Sequence, residues 1–460
     1  MTRRWLVVAS LVAAFGLVAA SCGDDAGTST TDAPTTTAAA ATTTTEAPDD
    51  EVAFDVGVTP APCADAVNEA NGCIYLGIIS DLADGPFAAL GIPLTQAQEH
   101  FWAAVNADGG LDGFDVITSA ENTFDARYTG EGTVEGFEGM VDRVLMFAQI
   151  LGTPQTQAVV PSMIEANVVA APATWWSGWA FSEFGGDNIL ESGAPYCLEA
   201  MNGMYFMSQA LPEGFTWGLV RFPGDYGGDY GAGALIAAAE LGLGAPVFDV
   251  LQIPLSAGGD VTEAVTAAVT ETPTLIVIVT GPSEMAQIVG GTFQGGHQAF
   301  QVLGASPTWN VALLGQEALL PLLEAVYKNT VPWGNWDTES DGHAAMRAAA
   351  EAGGRDPKGA YIAGWTWQYP VKALLEAAIA SGDLTRANLA ALAANLGDVS
   401  YEGILPDRTY GPDVNATIDR STIVMGVDPE SSDGLSPLSQ VPFTSPLAAD
   451  FDLAGPCFAG

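Results

Sequence analysis

Residues 74–79, IYLGII, and residues 93–110, PLTQAQEHFWAAVNADGG, decide the fold. The first run is short and almost wholly apolar, the pattern of a strand covered on both faces. The second places Ala97, Phe101, Ala104 and Val105 on one helical face and ends at Gly109-Gly110, where the chain can turn out of a helix. A buried strand followed by a helix that packs back on it opens a parallel sheet.

The alternation continues in both directions along the chain. FDVITSA (114–120), VLMFAQI (144–150) and VVAAPA (168–173) read as strands, with a helix over 155–166. A second series runs through TWGLVRF (216–222), a helix over 230–243, VFDVLQI (247–253), a helix over 261–271, TLIVIVT (274–280), a helix over 283–293 and VALLG (311–315). Two such series predict two doubly wound α/β domains. Helical patterns after residue 340 carry no strands of their own, so they are expected to cover the first sheet. STIVMGVD (421–428) reads as a late strand on the second domain.

With 460 residues, 48% of them hydrophobic, the chain is long enough for two or three well-filled domains. Thirteen basic residues against 55 acidic ones give a net charge of -42, a field that repels phosphate backbones and excludes nucleic acid as a partner. From residue 51 onward no apolar run approaches the roughly 20 residues that a membrane span needs.

Arg3 and Arg4 followed by WLVVASLVAAFGLVAA read as an export signal over 1–21. VAASC resembles a bacterial lipobox, which implies a lipid on Cys22; cleavage before Ser21 or Cys22 without lipid is the alternative. Residues 22–50 are nearly all Thr, Ala, Asp and Pro, with no apolar face to offset the entropy of ordering, and read as a tether spanning about 30 Å. The remaining cysteines, Cys63, Cys73, Cys197 and Cys457, are even in number in an oxidising compartment. Three pairings are possible; Cys63 with Cys73 closes a short loop in the 51–73 lead-in, and Cys197 with Cys457 would then pin the C-terminal tail.

Catalytic and cofactor motifs are wanting. A Walker A loop and a GxSxG elbow are absent, and GAG (231–233) has Ile236 at its third small position. DTESDG (337–342) has the outline of a calcium loop, yet Ala348 stands where a bidentate glutamate is required. His100, His297 and His343 are scattered, and no CxxC occurs. Neither enzymatic activity, metal nor cofactor is expected; an anchored hydrolase using one of these histidines is the minority alternative.

IYLGIISDLADGPFAALG, the helix ending NADGGLDG and the two α/β series that follow a lipobox and tether resemble, over about residues 73–430, the type I periplasmic solute-binding proteins of the branched-chain amino acid family. The resemblance implies two lobes, 74–198 with 336–398 and 199–335 with 399–460, closing on a ligand in the cleft between them. It implies delivery of a small solute, amino acid or amide, to an ABC permease with its ATPase, and contact with the membrane through the lipid anchor alone. A ligand-sensing lipoprotein of the same fold is the alternative.

The same resemblance places the ligand carboxylate on Gln155 and Thr156 in GTPQTQA, where a helix N-terminus also favours an anion. It places the ligand's amino-acid head on Ala173 and Thr174, a lobe 2 aromatic at Tyr230, and an ammonium partner on the acidic residue that follows a strand ending in Leu-Gly, which LLGQEAL puts at Glu317. A helix cap for Thr174, a core anchor for Tyr230 and a solvated carboxylate for Glu317 are the plain alternatives. TGPSEM departs from the family, since Gly281 and Pro282 stand where a second aromatic is expected. In APATWWSGW (171–179), Trp175 or Trp176 would form an apolar wall of the cleft beside that polar turn, with core packing the competing reading, most of all for Trp179.

Overall fold

The computed structural model describes residues 52–354 and 359–459; the export signal, Cys22 and the tether lie outside the described residues. Two sheets organise the chain. The first is built on the strand Gly72–Ser80, which pairs parallel with Phe114–Ile117 and Thr123–Asp125 on one edge and with Met146–Leu151 on the other, followed by Ala170–Ala173. Ile74, Leu76 and Ile78 point into one core cluster and Ile79 into another, so the apolar run is covered on both faces.

Seven strands form the second sheet, in the spatial order 435–437, 423–427, 327–331, 301–304, 275–279, 217–221, 249–251. Its central strands are parallel, while Ile423–Val427 adds antiparallel to Tyr327–Val331. Parallel strands with helical crossovers on both faces are the doubly wound α/β architecture expected from the periodicity.

The helix Ala88–Ala107 ends where the sequence stops it: Gly109 and Gly110 take φ of 110° and 81°, values an L side chain disfavours. Helices Asp341–Ala352 and Tyr361–Thr366, and the start of Gln368–Ala380, lie against it. Trp102 Nε1 donates to Gln368 Oε1 at 2.9 Å, Phe101 meets Trp365 edge to face at 4.8 Å, and a Cβ on Gly364 would lie 2.2 Å from the Leu94 carbonyl oxygen. Helix Tyr196–Ala210 instead packs with the second sheet, where Cys197 stands against Gly233 of helix Asp225–Glu240.

Two sequence expectations shift. VALLG is not a strand but a 3-10 turn, Val311–Gly315, because Asn310 caps it by accepting Ala312 N–H at 2.8 Å. The sheet strand is Gln301–Gly304, and Tyr327–Val331 supplies another. The helix expected from 230 begins at Asp225, so Tyr226 lies in its first turn and Tyr230 one turn deeper.

Disulfides join Cys63 to Cys73 and Cys197 to Cys457. The second bond sits in a polar knot: Cys457 N–H donates to Ser177 Oγ, which donates to Asp229, and Trp176 Nε1 donates to the Phe458 carbonyl at 2.8 Å. Among the described residues no helix is long and apolar enough to cross a membrane.

Candidate ligand-binding site

A cavity of about 870 Å³, counting the space open to solvent, lies where the carboxyl ends of both sheets face each other. This is the place where open α/β sheets bind ligands, because the loops there diverge and leave strand ends uncovered. The first sheet contributes Leu151, Gly152 and Thr153 beyond one strand and Ala173 and Trp175 beyond the next. From the second come Ser306 and Trp309 after Gln301–Gly304, with Asn329, Val331 and Trp333 on and after Tyr327–Val331. Phe87 and Tyr226 close one side, their rings 6.0 Å apart, and Trp367 another.

The lining is aromatic and mostly apolar. Trp175, Trp309, Trp333 and Trp367 all face it, with Tyr128, Tyr196 and Tyr226. Tryptophans offer large rigid faces for an apolar body at little entropic cost. Two of their N–H groups are committed to backbone carbonyls, Trp175 to Ser192 and Trp309 to Asp433. Burial pushes the hydroxyls of Tyr196 and Tyr226 well above the usual tyrosine range, so both stay neutral donors.

Among the described lining residues Asp433 is the sole charged type, and its oxygens are taken. Trp336 N–H donates to Oδ2 at 2.8 Å and Ser431 Oγ to Oδ1 at 3.0 Å. Burial nevertheless raises its pKa. Together with Asn335, whose Nδ2 donates to the Leu435 carbonyl at 3.0 Å, it ties the 431–435 segment to the chain leaving the second sheet.

Of the residues singled out in the sequence, Ala173 and Trp175 line this cavity. Thr174 does not line it; its hydroxyl is bonded to those of Thr153 and Tyr196, which do. Thr156 bonds back to the Gly152 carbonyl within its own helix. Gln155 stands one layer behind Gly152, its Nε2 donating to the Tyr128 carbonyl at 2.9 Å and its Oε1 buried with no partner. A Cβ on Gly152, at φ 100°, would meet that oxygen at 2.2 Å, so glycine is what lets cavity and side chain share this corner.

Trp176 packs away from the cavity in a second cluster, 4.9 Å from Trp179 and 5.3 Å from Phe184. Tyr230 is fully buried, its hydroxyl 3.0 Å from Thr330 Oγ1, and Tyr226 occupies the cavity instead. Glu317 is exposed beyond the 3-10 turn. The strand that ends in Leu-Gly is Gln301–Gly304, with Leu303 and Gly304 at its end, so the residue two places past the strand is Ser306. Reading that register needs the sheet.

None of the three histidines lines the cavity. His100 bonds Tyr361, His297 meets the Pro273 carbonyl, and His343 Nδ1 lies 2.8 Å from Ser340 Oγ. Ser340 is the cap of helix Asp341–Ala352, so this Ser–His contact terminates a helix.

No curated protein matches the sequence. Among solved structures, a fatty acid ABC transporter substrate-binding protein from Thermomonospora curvata is 24% identical, with a TM-score of 0.73 over 85% of this chain and 96% of that one. A branched-chain amino acid ABC transporter from Thermus thermophilus with bound valine is 17% identical (TM-score 0.67; 82% and 98% covered). A solute-binding protein of an ABC transporter from R. palustris in complex with 4-hydroxybenzoate is 15% identical (TM-score 0.67; 81% and 97%). At these identities the likeness is one of fold. Residues 74–433 match the family described as periplasmic binding protein, and the chain belongs to that family, in its type I form.

Proposed function

We propose that this protein is an extracytoplasmic, non-catalytic substrate-binding protein that captures a small solute between two lobes, 74–198 with 336–398 and 199–335 with 399–460, and hands it to an ABC importer. Its anchor is the lipid on Cys22. The observation that carries the reading is the cavity at the facing strand ends, built from both sheets and walled by four tryptophans. Capture then proceeds by closure of the lobes, and the liganded form is what a permease reads.

The lining favours a solute with a large apolar or aromatic body and a small hydrogen-bonding head over a free amino acid. Glu317 lies on the surface, Asp433 has both oxygens engaged by Trp336 N–H and Ser431 Oγ, and Thr156 and Thr174 spend their hydroxyls on protein partners; no described lining residue carries a positive charge for a carboxylate. Cargoes of the structural neighbours, a fatty acid, valine and 4-hydroxybenzoate, span this choice. Titrating the purified protein with lauramide, 4-hydroxyacetophenone and valine, the first two neutral, with tryptophan fluorescence and melting temperature as readouts, tests it. Response to the first two and none to valine is expected; a response to valine alone returns the site to amino acids.

A further inference from the structure

Behind the cavity-lining Ser306 lies an acid with no cation beside it among the described residues. Glu199, on helix Tyr196–Ala210, is fully buried. Its Oε1 accepts from Ser306 N–H and from Thr330 Oγ1, each at 2.7 Å, and its Oε2 lies 3.2 Å from Ser306 Oγ.

The groups facing it are neutral. Tyr196 stands on its own helix, Tyr226 and Tyr230 on helix Asp225–Glu240, and Tyr327 on the neighbouring strand, all with hydroxyls raised by burial. Asp229, on the same helix as Tyr226, bonds Ser177 and the Cys197 N–H. Lys328 reaches Gln301 instead. Strand Ile423–Val427 and helix Pro446–Ala449, the other elements against this helix, carry no titratable side chain.

A carboxylate buried without a counter-ion is costly, so the acid keeps its proton; burial pushes it up to about 8. Oε1 receives the fixed N–H of Ser306 and is the nearer of the two acceptors that the Thr330 hydroxyl reaches, the other being the Gly304 carbonyl at 3.0 Å, so it is the carbonyl oxygen. With the proton on Oε2, the carboxyl O–H donates across the 3.2 Å to Ser306 Oγ; in the ionised acid the same pair runs the other way.

We propose that Glu199 is a positioning residue that sets the hydrogen-bond polarity of Ser306, so that the site selects a solute whose head is a hydrogen-bond acceptor such as a ketone, ester or amide carbonyl. With its oxygen already receiving from the acid, the Ser306 hydroxyl turns its own proton into the cavity. Asn329, on the strand paired with Gly304, supplies a second donor: its Oδ1 accepts from Tyr327 O–H at 2.6 Å, and its Nδ2 has only a 3.4 Å contact with the Thr330 carbonyl. When Glu199 ionises, Ser306 must donate to it instead, and a lone pair and a negative charge then face the ligand's oxygen.

This inference rests on the apolar-cavity reading. The test uses 6-propionyl-2-dimethylaminonaphthalene, a neutral probe with a fused-ring body and one ketone, titrated by its fluorescence at about pH 6.5 and about pH 9, on either side of the acid's transition. Wild-type protein is expected to bind about tenfold more weakly at the higher pH, the size of one lost hydrogen bond plus an acceptor left facing an acceptor. Glu199→Gln, whose amide N–H replaces the carboxyl proton, is expected to bind as tightly at both. Ser306→Ala is expected to bind weakly at both, and it stands as the test if Glu199→Gln fails to fold. Equal wild-type affinity at the two pH values, or an unchanged pH dependence in either variant, overturns the inference. Absence of wild-type binding at both pH values overturns the apolar-cavity reading itself.

Discussion

Trp175 and Trp333 lie with ring centroids 5.5 Å apart and planes tilted by 45°. One follows the last strand of the first sheet, the other the strand Tyr327–Val331 of the second. Trp367 joins them at 5.4 Å from Trp175. Both sheets are thus represented in a single aromatic wall, and any solute held there touches both.

Trp175→Ala is expected to weaken binding of an apolar probe about tenfold or more, by removing that wall. Trp176→Ala is expected to leave ligand preference unchanged and to lower stability by about 3–5 kcal/mol, as for a large ring removed from a core. Ligand titration beside denaturant unfolding of the two variants checks this; equal effects on ligand preference would place both rings in the same role.

Glu317→Gln is expected to change affinity less than about twofold, since an exposed carboxylate outside the cavity lining contributes little. Tyr226→Ala, which removes a cavity wall and the bond to Thr308 Oγ1 at 2.9 Å, is expected to weaken it at least about tenfold. Calorimetry on the pair decides which of the two the solute meets.

Cys457→Ser is expected to cost about 2–5 kcal/mol in unfolding, because the Cys197 bond closes a very long loop. The bonds from Trp176 to the Phe458 carbonyl and from Cys457 N–H to Ser177 Oγ hold the tail only while it stays in place. Urea unfolding of the variant, set against wild type with and without reductant, measures it. In reductant, which also opens Cys63–Cys73, wild type and variant should converge.

His343 gives the fold an acid-side weakness. Burial above all, with the Arg347 guanidinium adding to it, lowers its pKa from 6.5 to about 4. The unfolded chain therefore binds a proton that the folded chain refuses, and the stability held above pH 6.5 is lost as pH falls towards 4. His343→Gln is expected to flatten that part of the curve, read as the urea midpoint at about pH 7 and about pH 4.5.

Much of the fold was legible because it depends on local pattern. IYLGII is apolar on both pleat faces, and the helix before Gly109-Gly110 shows one apolar stripe, so strand and helix follow from period alone. The slips occurred where period is silent. QVLG and YKNTV are short strands whose burial comes from their neighbours, and VALLG, more apolar than either, is held as a turn by the side chain of Asn310. That slip moved the Leu-Gly register and sent the expected acidic contact to Glu317 instead of to the turn that carries Ser306.

Composition and periodicity by themselves determined an acidic, two-sheet α/β chain whose strands and crossover helices succeed one another in order. Four cysteines available for two disulfides were readable, with three pairings left open; the structure joins Cys63 to Cys73 and Cys197 to Cys457. Tertiary structure alone decided the site. Adjacent tryptophans 175 and 176 went to opposite sides of one backbone turn; Tyr226 and Tyr230, one helical turn apart, went to cavity and core. Glu199 came to rest under Ser306, 107 residues away in sequence. Such neighbours are set by how two sheets pack at their strand ends, and no local pattern encodes that distance.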